Sequence, residues 1–284
     1  MLDICGGDQV NEKPILEIQN LTKVYNSGFV RKASVMAVDD VTFNLNKGEI
    51  ISLVGESGSG KTTVARIILR LLLPTRGRIQ YRGRDISGVR KRQDLKEYWR
   101  HVQGIFQDPY APFNLFYKVD RVFDIIFNLL TGKFSKEEKK RIVDDSLKMV
   151  DLNPGDVLGK YPHQLSGGQR QRILVARSLI VNPEILVADE PTSMIDASTR
   201  VDVLKVFMNL RDKQGLSIIF ITHDVGLAYY ISDRMLVMQK GKIVEEGRVE
   251  DIIANPKHEY TQKLLSAIPT LSKKWEFDEK NETR

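Results

Sequence analysis

The chain has 284 residues, enough for one large domain or two small ones with a substantial core. Its composition is that of an ordinary globular protein, and no apolar run is long enough for a transmembrane helix. A single cysteine, Cys5, excludes internal disulfides and metal sites built from several cysteines. The first ten residues lack the basic and apolar regions of a signal peptide, so a cytoplasmic protein is expected.

The net charge is +6, from 43 basic and 37 acidic residues. Part of the basic excess lies in one stretch, which contains Arg76, Arg78, Arg82, Arg84, Arg90, Lys91, Arg92, Lys96 and Arg100. Two interpretations are open for this stretch. It could bind nucleic acid or anionic lipid, or it could be a solvated face without a partner.

The N-terminal part predicts a short lead-in followed by strands. Residues 1–14 carry no pattern, whereas Ile15–Gln19 and Val41–Leu45 alternate apolar and polar residues as half-exposed strands do. Between them Asn26–Ser34 is predicted to be a loop, which Tyr25 opens. Tyr25 could stack on a purine ring, or it could be a strand-end tyrosine whose hydroxyl meets water.

A strand, a glycine-rich turn and a helix follow in immediate succession. Glu49–Val54 is strand-like and Val64–Leu73 has helical spacing and ends before Pro74. The turn between them has the phosphate-loop pattern G-x-x-x-x-G-K-[ST], and its residues are Gly55, Glu56, Ser57, Gly58, Ser59, Gly60, Lys61, Thr62 and Thr63. The context predicts nucleotide binding rather than a glycine-rich turn with a chance lysine.

The chemistry of that loop follows from its residue types. The glycines let backbone N–H groups approach a ligand at the positive end of the next helix. Lys61 supplies a positive charge for the β- and γ-phosphates, and the Thr62 hydroxyl is placed to ligate Mg²⁺.

The middle of the chain changes from mixed to helical patterns. Gly77–Tyr81 predicts a strand, Gly83–Gly88 a turn, and Gly104–Gln107 the end of another strand. Helices are predicted over Val119–Leu130 and over Ser135–Val150, where Ser135 and Glu138 have the spacing of a capping box. We therefore expect a helical subdomain, about residues 95–170, inserted into an α/β body.

Alternating helices and strands resume after this block. The predicted elements are helix Gly168–Val181, strand Glu184–Ala188, helix Thr199–Lys213, strand Ser217–Thr222, the hairpin Arg234–Gln239 with Lys242–Glu246, and the closing helices Val249–Ala254 and Glu259–Ile268. The charged residues 271–284 form a tail after the last of them.

Two further motifs indicate which chemistry the nucleotide site performs. Ile185–Glu190 is an apolar strand that ends in two acids, so Asp189 is placed to hold Mg²⁺ and Glu190 to orient or deprotonate an attacking water. Ser166, Gly167, Gly168 and Gln169 precede a long helix and offer a hydroxyl and bare N–H groups to an anion. An ordinary serine N-cap followed by glycines is the alternative for the second motif.

These motifs together resemble the ATP-binding cassette (ABC) ATPases over roughly residues 15 to 270. Gly55–Thr62 is similar to their Walker A motif, Ile185–Glu190 to Walker B, and Leu165–Gln169 to the LSGGQ signature. The resemblance implies an α/β fold: a P-loop NTPase (RecA-like) core with an antiparallel β-subdomain and an inserted helical subdomain. It also implies ATP and Mg²⁺ as ligands.

The resemblance assigns roles to further residues. Gln107 matches the Q-loop glutamine, a ligand of Mg²⁺ and a lever to the helical subdomain, and Ser193–Asp196 resembles the D-loop at the nucleotide. His223 matches the switch histidine at the γ-phosphate, although a strand-end histidine beside Asp224 is the alternative. Tyr25 falls where the adenine-stacking aromatic belongs. Asp196 could also cap the helix that follows it.

The family resemblance further implies partners. Such ATPases close head-to-tail, so Ser166–Gln169 completes the site of a second ATPase subunit, expected here to be a homologous but different chain. With no membrane segment in the sequence, two permease subunits would be separate chains, fed by an extracellular substrate-binding protein. The chain is then expected at the cytoplasmic face of the membrane, without nucleic acid. A nucleic-acid-associated ABC ATPase is the alternative.

The C-terminal stretch Asn255–Pro269 resembles the oligopeptide/dipeptide importer ATPases, and Phe106–Pro109 and Tyr161–Arg172 fit the same subfamily. Some members carry a C-terminal iron–sulfur cluster, which this chain cannot form because no cysteine follows Cys5. The expected function is an ATPase subunit of a peptide-type importer, with oligosaccharides or nickel as other cargo of that subfamily.

Overall fold

A computed structural model describes residues 13–27, 33–108, 112–130 and 132–266. Its strands are β1 (Leu16–Ser27), β2 (Ala33–Leu45), β3 (Ile50–Val54), β4 (Arg76–Tyr81), β5 (Arg84–Asp85), β6 (Val102–Ile105), β7 (Ile185–Asp189), β8 (Ser217–Thr222), β9 (Arg234–Gln239) and β10 (Lys242–Arg248). Its α-helices are α1 (Lys61–Ile68), α2 (Arg92–His101), α3 (Arg121–Ile126), α4 (Lys136–Lys148), α5 (Pro154–Val157), α6 (Gly167–Leu179), α7 (Ala197–Gln214), α8 (Val225–Ile231), α9 (Val249–Ala254) and α10 (Glu259–Ser266).

A six-stranded sheet in the order β10-β9-β3-β8-β7-β6 forms the centre of the molecule. Its strands from β9 to β6 pair in parallel, and β10 pairs antiparallel at one edge. Because side chains alternate along a strand, β8 sends Ile218 and Phe220 into one apolar cluster and Ile219 and Ile221 into another. The sheet is therefore buried on both faces, as parallel sheets usually are.

Each face of this sheet is covered by different elements. One face packs against α6 and α7 and, beyond them, against residues of α3 and α4. The other face packs against α1 and against β1 and β2. The carboxyl ends of β3, β7 and β8 thus meet at one edge of the sheet, where parallel α/β folds bind their ligands.

The predicted antiparallel β-subdomain is a four-stranded sheet in the order β2-β1-β4-β5. Its first two strands are longer than the sequence predicts, since β1 runs to Ser27 and β2 begins at Ala33. The predicted loop Asn26–Ser34 was accordingly too wide, and residues 28–32 lie outside the described part of the chain. Register shifts let β1 and β2 stay paired where the alternation of apolar residues stops.

The middle block is helical, with different boundaries from those predicted. The helix predicted from Val119 starts at Arg121 and tightens to a 3-10 turn at Phe127–Leu129. Within residues 95–170, β6 (Val102–Ile105) pairs with β7 in the large sheet, so helical packing dominates only after this strand. The short β5 lies inside the predicted turn Gly83–Gly88.

The last part of the chain matches the predicted order of elements from β9 onward, but the helix α8 that precedes β9 was not predicted. The hairpin β9–β10 turns at Lys240 and Gly241, both of which have a positive φ. The helices α9 and α10 follow, and α8, α9, α10 and β9 share a third apolar cluster. None of the helices in the described part of the chain has the length and hydropathy needed to span a bilayer.

Candidate functional site

The glycine-rich turn links β3 to α1 at the carboxyl edge of the large sheet. Gly58 has a φ of 82°, a conformation that side chains disfavour. Gly60, with a φ of 109°, is the N-cap of α1, and a Cβ there would lie 2.3 Å from the carbonyl oxygen of Ala37. The loop therefore needs glycine at this position. The loop also brings its backbone N–H groups close to an anion bound at the start of α1.

Lys61 is held inside this loop. Its Nζ donates to the carbonyl oxygens of Gly55 at 2.6 Å and Glu56 at 2.8 Å. Burial lowers the pKa of its ammonium, an effect opposed by the charges of Glu190 and Asp189. The side chain thus places a desolvated positive charge among backbone groups that would surround a phosphate.

Thr62 and Asp189 bring two oxygen ligands together. The Thr62 hydroxyl donates to Oδ1 of Asp189 at 3.2 Å, which joins the P-loop to the end of β7. Burial raises the pKa of the Asp189 carboxyl, although the hydrogen bond from Thr62 opposes this rise. Hydroxyl and carboxylate oxygens fit Mg²⁺, which takes few protein ligands when phosphates supply the others. The described residues contain no group of three or more His, Cys, Asp or Glu that could hold a metal.

Glu190 follows β7 in a conformation that is uncommon for its residue type, with a φ of 49°. Its backbone N–H donates to Ile221 of β8, and its carbonyl accepts from the Ser193 hydroxyl at 3.0 Å. These bonds hold the bend and turn the carboxylate towards His223, whose Nδ1 lies 3.2 Å from Oε1 of Glu190. The bend thus places the Glu190 carboxylate beside the His223 imidazole at the site.

A cavity of about 930 Å³ unites these groups. Its walls are Ala37, Glu56, Ser57, Gly58, Gly60, Lys61, Thr62, Thr63, Gln107, Glu190, His223, Asp224, Val225, Lys263 and Leu264. The structure therefore places most of the predicted P-loop residues around one cavity, together with Gln107, Glu190 and His223. Asp189 does not line this cavity, but it accepts a hydrogen bond from Thr62, which does.

Three other predicted ligand residues, Gly55, Ser59 and Tyr25, do not line this cavity. Gly55 and Ser59 lie in the loop behind Lys61, and Gly55 offers its carbonyl to that side chain. Tyr25 is in β1, paired with Val35 of β2 and 39 % exposed. Its role at adenine stays a prediction.

The signature residues lie at the start of α6, outside the cavity. Ser166 is the N-cap, its hydroxyl accepts from the Gln169 N–H, and the Gln169 side chain accepts from the Ser166 N–H in return. A Cβ on Gly168 would come within 3.0 Å of Thr199, so α6 packs closely on α7. The predicted serine cap is confirmed, and the function of Ser166, Gly167, Gly168 and Gln169 at an anion stays a prediction.

Asp196 is the residue before α7, but its side chain makes no capping hydrogen bond. The prediction that Asp196 is the N-cap of this helix is confirmed for its backbone, since its carbonyl accepts from the N–H groups of Thr199 and Arg200. Asp224, next to His223, caps with its side chain, since its Oδ1 accepts from the N–H groups of Gly226 and Leu227. A proposed contact of Asp196 with nucleotide is left as a prediction.

Sequence reasoning missed the part of the wall supplied by α10. Lys263 and Leu264 line the cavity, and the Tyr260 hydroxyl accepts from the Glu56 N–H at 3.0 Å. No local pattern could have revealed this, because Glu56 and Tyr260 are 204 residues apart.

Comparison with known proteins gives a consistent picture. Residues 38–193 match a family model described as "ABC transporter", and residues 244–284 match one described as "Oligopeptide/dipeptide transporter, C-terminal region". The chain is 43% identical over 262 residues to the oligopeptide transport ATP-binding protein OppF of Streptococcus mutans, covering 91% of this chain and 83% of that protein. It is 40% identical over 268 residues to AppF of Bacillus subtilis, which bears the same description, covering 93% and 81%.

Solved structures agree with the fold. A dimeric ATP-binding cassette, MJ0796, in a post-hydrolysis state with ADP and Pi matches with a TM-score of 0.73 at 28% identity, covering 82% of this chain and 98% of that one. The cbiO1 protein from Clostridium perfringens, part of a cbiONQ ABC transporter complex, matches with the same TM-score at 25% identity, covering 86% and 92%. The α/β cassette fold predicted from the sequence is confirmed.

Proposed function

The chain belongs to the ABC transporter family and is an ATP-hydrolysing cassette, and we propose that it powers an importer that takes up peptides. One observation carries the ATPase chemistry: a single cavity is lined by the P-loop with Lys61, by Glu190 and by His223. These are a phosphate cradle, a candidate base and an imidazole to position it.

In the proposed reaction Glu190 accepts a proton from water, and the water oxygen forms a bond to the γ-phosphorus. The bond from that phosphorus to the bridging oxygen of ADP breaks. Lys61 and the loop N–H groups bind the phosphates and offset their charge. His223, hydrogen-bonded to Glu190, positions the carboxylate and contacts the γ-phosphate. Tyr25 stacks on adenine and Asp196 contacts the nucleotide.

Thr62, Asp189 and Gln107 are proposed to hold Mg²⁺. When bound, the ion neutralises charge on the phosphate oxygens. The hydrogen bond between Thr62 and Asp189 supports this choice of Mg²⁺ ligands, because it already brings both oxygens together near Lys61.

A second ATPase subunit is proposed to complete the site. The support is that Ser166–Gln169 are absent from the walls of the chain's own cavity. Their hydroxyl and N–H groups stand at the start of a long helix, where they could meet the γ-phosphate on another cassette in a head-to-tail dimer. We propose that this subunit is a homologous, different chain.

Two permease chains are the remaining proposed partners, with an extracellular binding protein delivering the cargo. Exposed apolar side chains support a docking surface: Phe116 and Ile125, 89% and 65% exposed, line one surface cavity, and Leu115, next to Phe116 in the chain, is 59% exposed. Exposed apolar patches mark interaction sites. The chain would then lie peripherally on the cytoplasmic face of the membrane.

The peptide cargo is supported by the C-terminal region, which matches a model for oligopeptide/dipeptide transporters, and by the names of the bacterial relatives. Oligosaccharide and nickel remain alternatives, because the cargo is selected by the permease and the binding protein.

Co-purification from detergent-solubilised native membranes tests this proposal. The tagged chain should bring down a second ATPase and two permeases. Phe116→Glu should lose the permeases, whereas Met149→Glu, at another exposed apolar position, should retain them. The result that overturns the proposal is recovery with nucleic acid alone, together with ATPase stimulation by DNA or RNA that falls steeply with salt. That outcome would favour the basic stretch from Arg76 to Arg100 as a nucleic-acid surface.

A further inference from the structure

The helix α10 forms part of the cavity wall although it lies far from the P-loop in sequence. Lys263 and Leu264 line the cavity together with Glu56, Ser57 and Gly58. A second cation therefore faces the space that holds Lys61.

Tyr260 fixes the position of this helix against the P-loop. Its hydroxyl accepts a hydrogen bond from the Glu56 N–H at 3.0 Å. Its ring is 7% exposed and belongs to the same apolar cluster as Val54, the last residue before the loop, and Val225, which follows the His223 turn. The helix α10 is thus packed against both flanks of the site.

A second anchor holds the start of α10 on the hairpin. The Glu245 carboxylate on β10 accepts from the backbone N–H groups of Lys257 at 2.8 Å and His258 at 3.0 Å. Leu264, next to Lys263, also packs against the third apolar cluster. The position of Lys263 at the cavity is therefore a consequence of these contacts and not of a free terminus.

Lys263 is available to a ligand. Its Nζ pairs with Oε1 of Glu259 at 2.7 Å, one turn earlier, and both side chains are more than 70% exposed, at 72% and 78%. Such exposed pairs are weak. The anionic phosphates of a nucleotide would compete well for this ammonium.

We propose that Lys263 binds the terminal phosphate of a nucleoside triphosphate and that Tyr260 positions the P-loop for it. The inference rests on the proposed function, which places ATP in this cavity. The γ-phosphate end is favoured because α10 packs beside Glu56 and Val225, next to His223. Lys263 then discriminates ATP from ADP, and the segment after β10 becomes part of the nucleotide site.

Equilibrium binding of ATP and of ADP to the full-length chain tests the role of Lys263. Lys263→Gln should weaken ATP binding by about three- to tenfold and leave ADP binding within about twofold. Lys257→Gln is the matched control, because it removes a cation from the same segment outside the cavity, and it should change neither affinity. Equal affinities of the Lys263→Gln chain and the unaltered chain for ATP would overturn the inference.

Tyr260→Phe tests the positioning role, since it removes the hydroxyl and keeps the ring in the core. ATP and ADP binding should both weaken, with little change in the unfolding midpoint, because the P-loop serves both nucleotides. Unchanged affinity for both would refute the positioning role. Failure of the unaltered chain to bind any nucleotide would instead refute the proposed function, so the two failures are distinguishable.

Discussion

Nδ1 of His223 lies 3.2 Å from Oε1 of Glu190, joining the end of β8 to the end of β7. The two strands are neighbours in the sheet, so the contact follows from their shared carboxyl edge. A base that is oriented by a second group is the arrangement expected for activating a water.

Glu190→Gln should abolish hydrolysis while nucleotide binding persists. The amide keeps the size of the side chain but cannot accept the proton from water, so the rate of phosphate release should fall by about 10²- to 10⁴-fold. With the proposed partner ATPase present, the variant should accumulate as an ATP-bound dimer, which size-exclusion chromatography would detect. Glu137→Gln, an exposed carboxylate on α4, is the control, and full activity of Glu190→Gln would refute the assigned base.

Thr62→Val should raise the Mg²⁺ concentration needed for hydrolysis. The change removes the hydroxyl that faces Asp189 but keeps the branched shape of the side chain. Thr62→Ser retains the hydroxyl and should behave like the unaltered chain. Titrating Mg²⁺ at saturating ATP separates the two variants, and identical titration curves would argue against Thr62 as a ligand.

Local patterns in the sequence predicted the features that neighbouring residues build. The turn from β3 to α1 depends on the glycines between them, and the capping box at Ser135 and the N-cap at Ser166 depend on residues three positions away. The glutamate after β7 and the histidine after β8 meet because parallel neighbouring strands end together. These relationships are set by short spacings or by the topology of the sheet.

Other features depend on contacts that no local pattern reveals. The strands β1 and β2 are longer than predicted because their pairing continues through register shifts. Asn20 and Asp40, which lie near these shifts, have a positive φ. The hydrogen bond from Glu56 to Tyr260 joins residues that lie 204 positions apart in the chain. Asp196 is an N-cap of a suitable residue type, yet its side chain makes no capping hydrogen bond.

Ser135→Ala should destabilise the helical block. The Ser135 hydroxyl accepts from the Glu138 N–H at 3.1 Å, and the Glu138 carboxylate accepts from the Ser135 N–H at 2.7 Å. Losing this cap should lower the free energy of unfolding by about 1 kcal/mol in urea titrations. Ser135→Asn keeps a capping acceptor and should lose much less; equal losses for both would contradict the capping role.

The contribution of Glu245 to stability should depend on pH. Burial raises the pKa of its carboxyl, but the hydrogen bonds that the carboxylate accepts, that from the Lys257 N–H first among them, outweigh burial and leave the pKa below the ordinary 4.5. A carboxyl with a lowered pKa in the folded state stabilises the fold above the unfolded value and loses this effect as the pH falls through the folded value. The stability difference between the unaltered chain and Glu245→Gln should therefore be constant near neutrality and shrink below pH 4.5.

Urea titrations at several pH values measure that difference. Glu250→Gln, an exposed acid on α9, supplies the control, because no backbone N–H bond to its carboxylate is present among the described residues. A difference for Glu245→Gln that stays the same at acid pH would show that its carboxylate does not anchor the start of α10.

Ser166→Arg should separate binding from hydrolysis. Because Ser166 lies outside the cavity of its own chain, the isolated variant should bind ATP with an affinity within about twofold of the unaltered chain. In the assembled transporter a bulky cation should obstruct the ATP site of the partner, and hydrolysis there should be lost. Lys61→Ala gives the opposite pattern, since it should abolish nucleotide binding by the chain itself.

Comparing Ser166→Arg with Lys61→Ala decides whether the signature residues act on their own nucleotide or on that of the partner. If Ser166–Gln169 served the nucleotide on their own P-loop, Ser166→Arg would weaken ATP binding by the isolated chain as Lys61→Ala does. The capping box fixes these residues at the start of α6, with Gly168 packed on Thr199, so they cannot swing into the cavity without unwinding the first turn. Retained binding with lost hydrolysis is therefore the expected result, and it requires a second cassette.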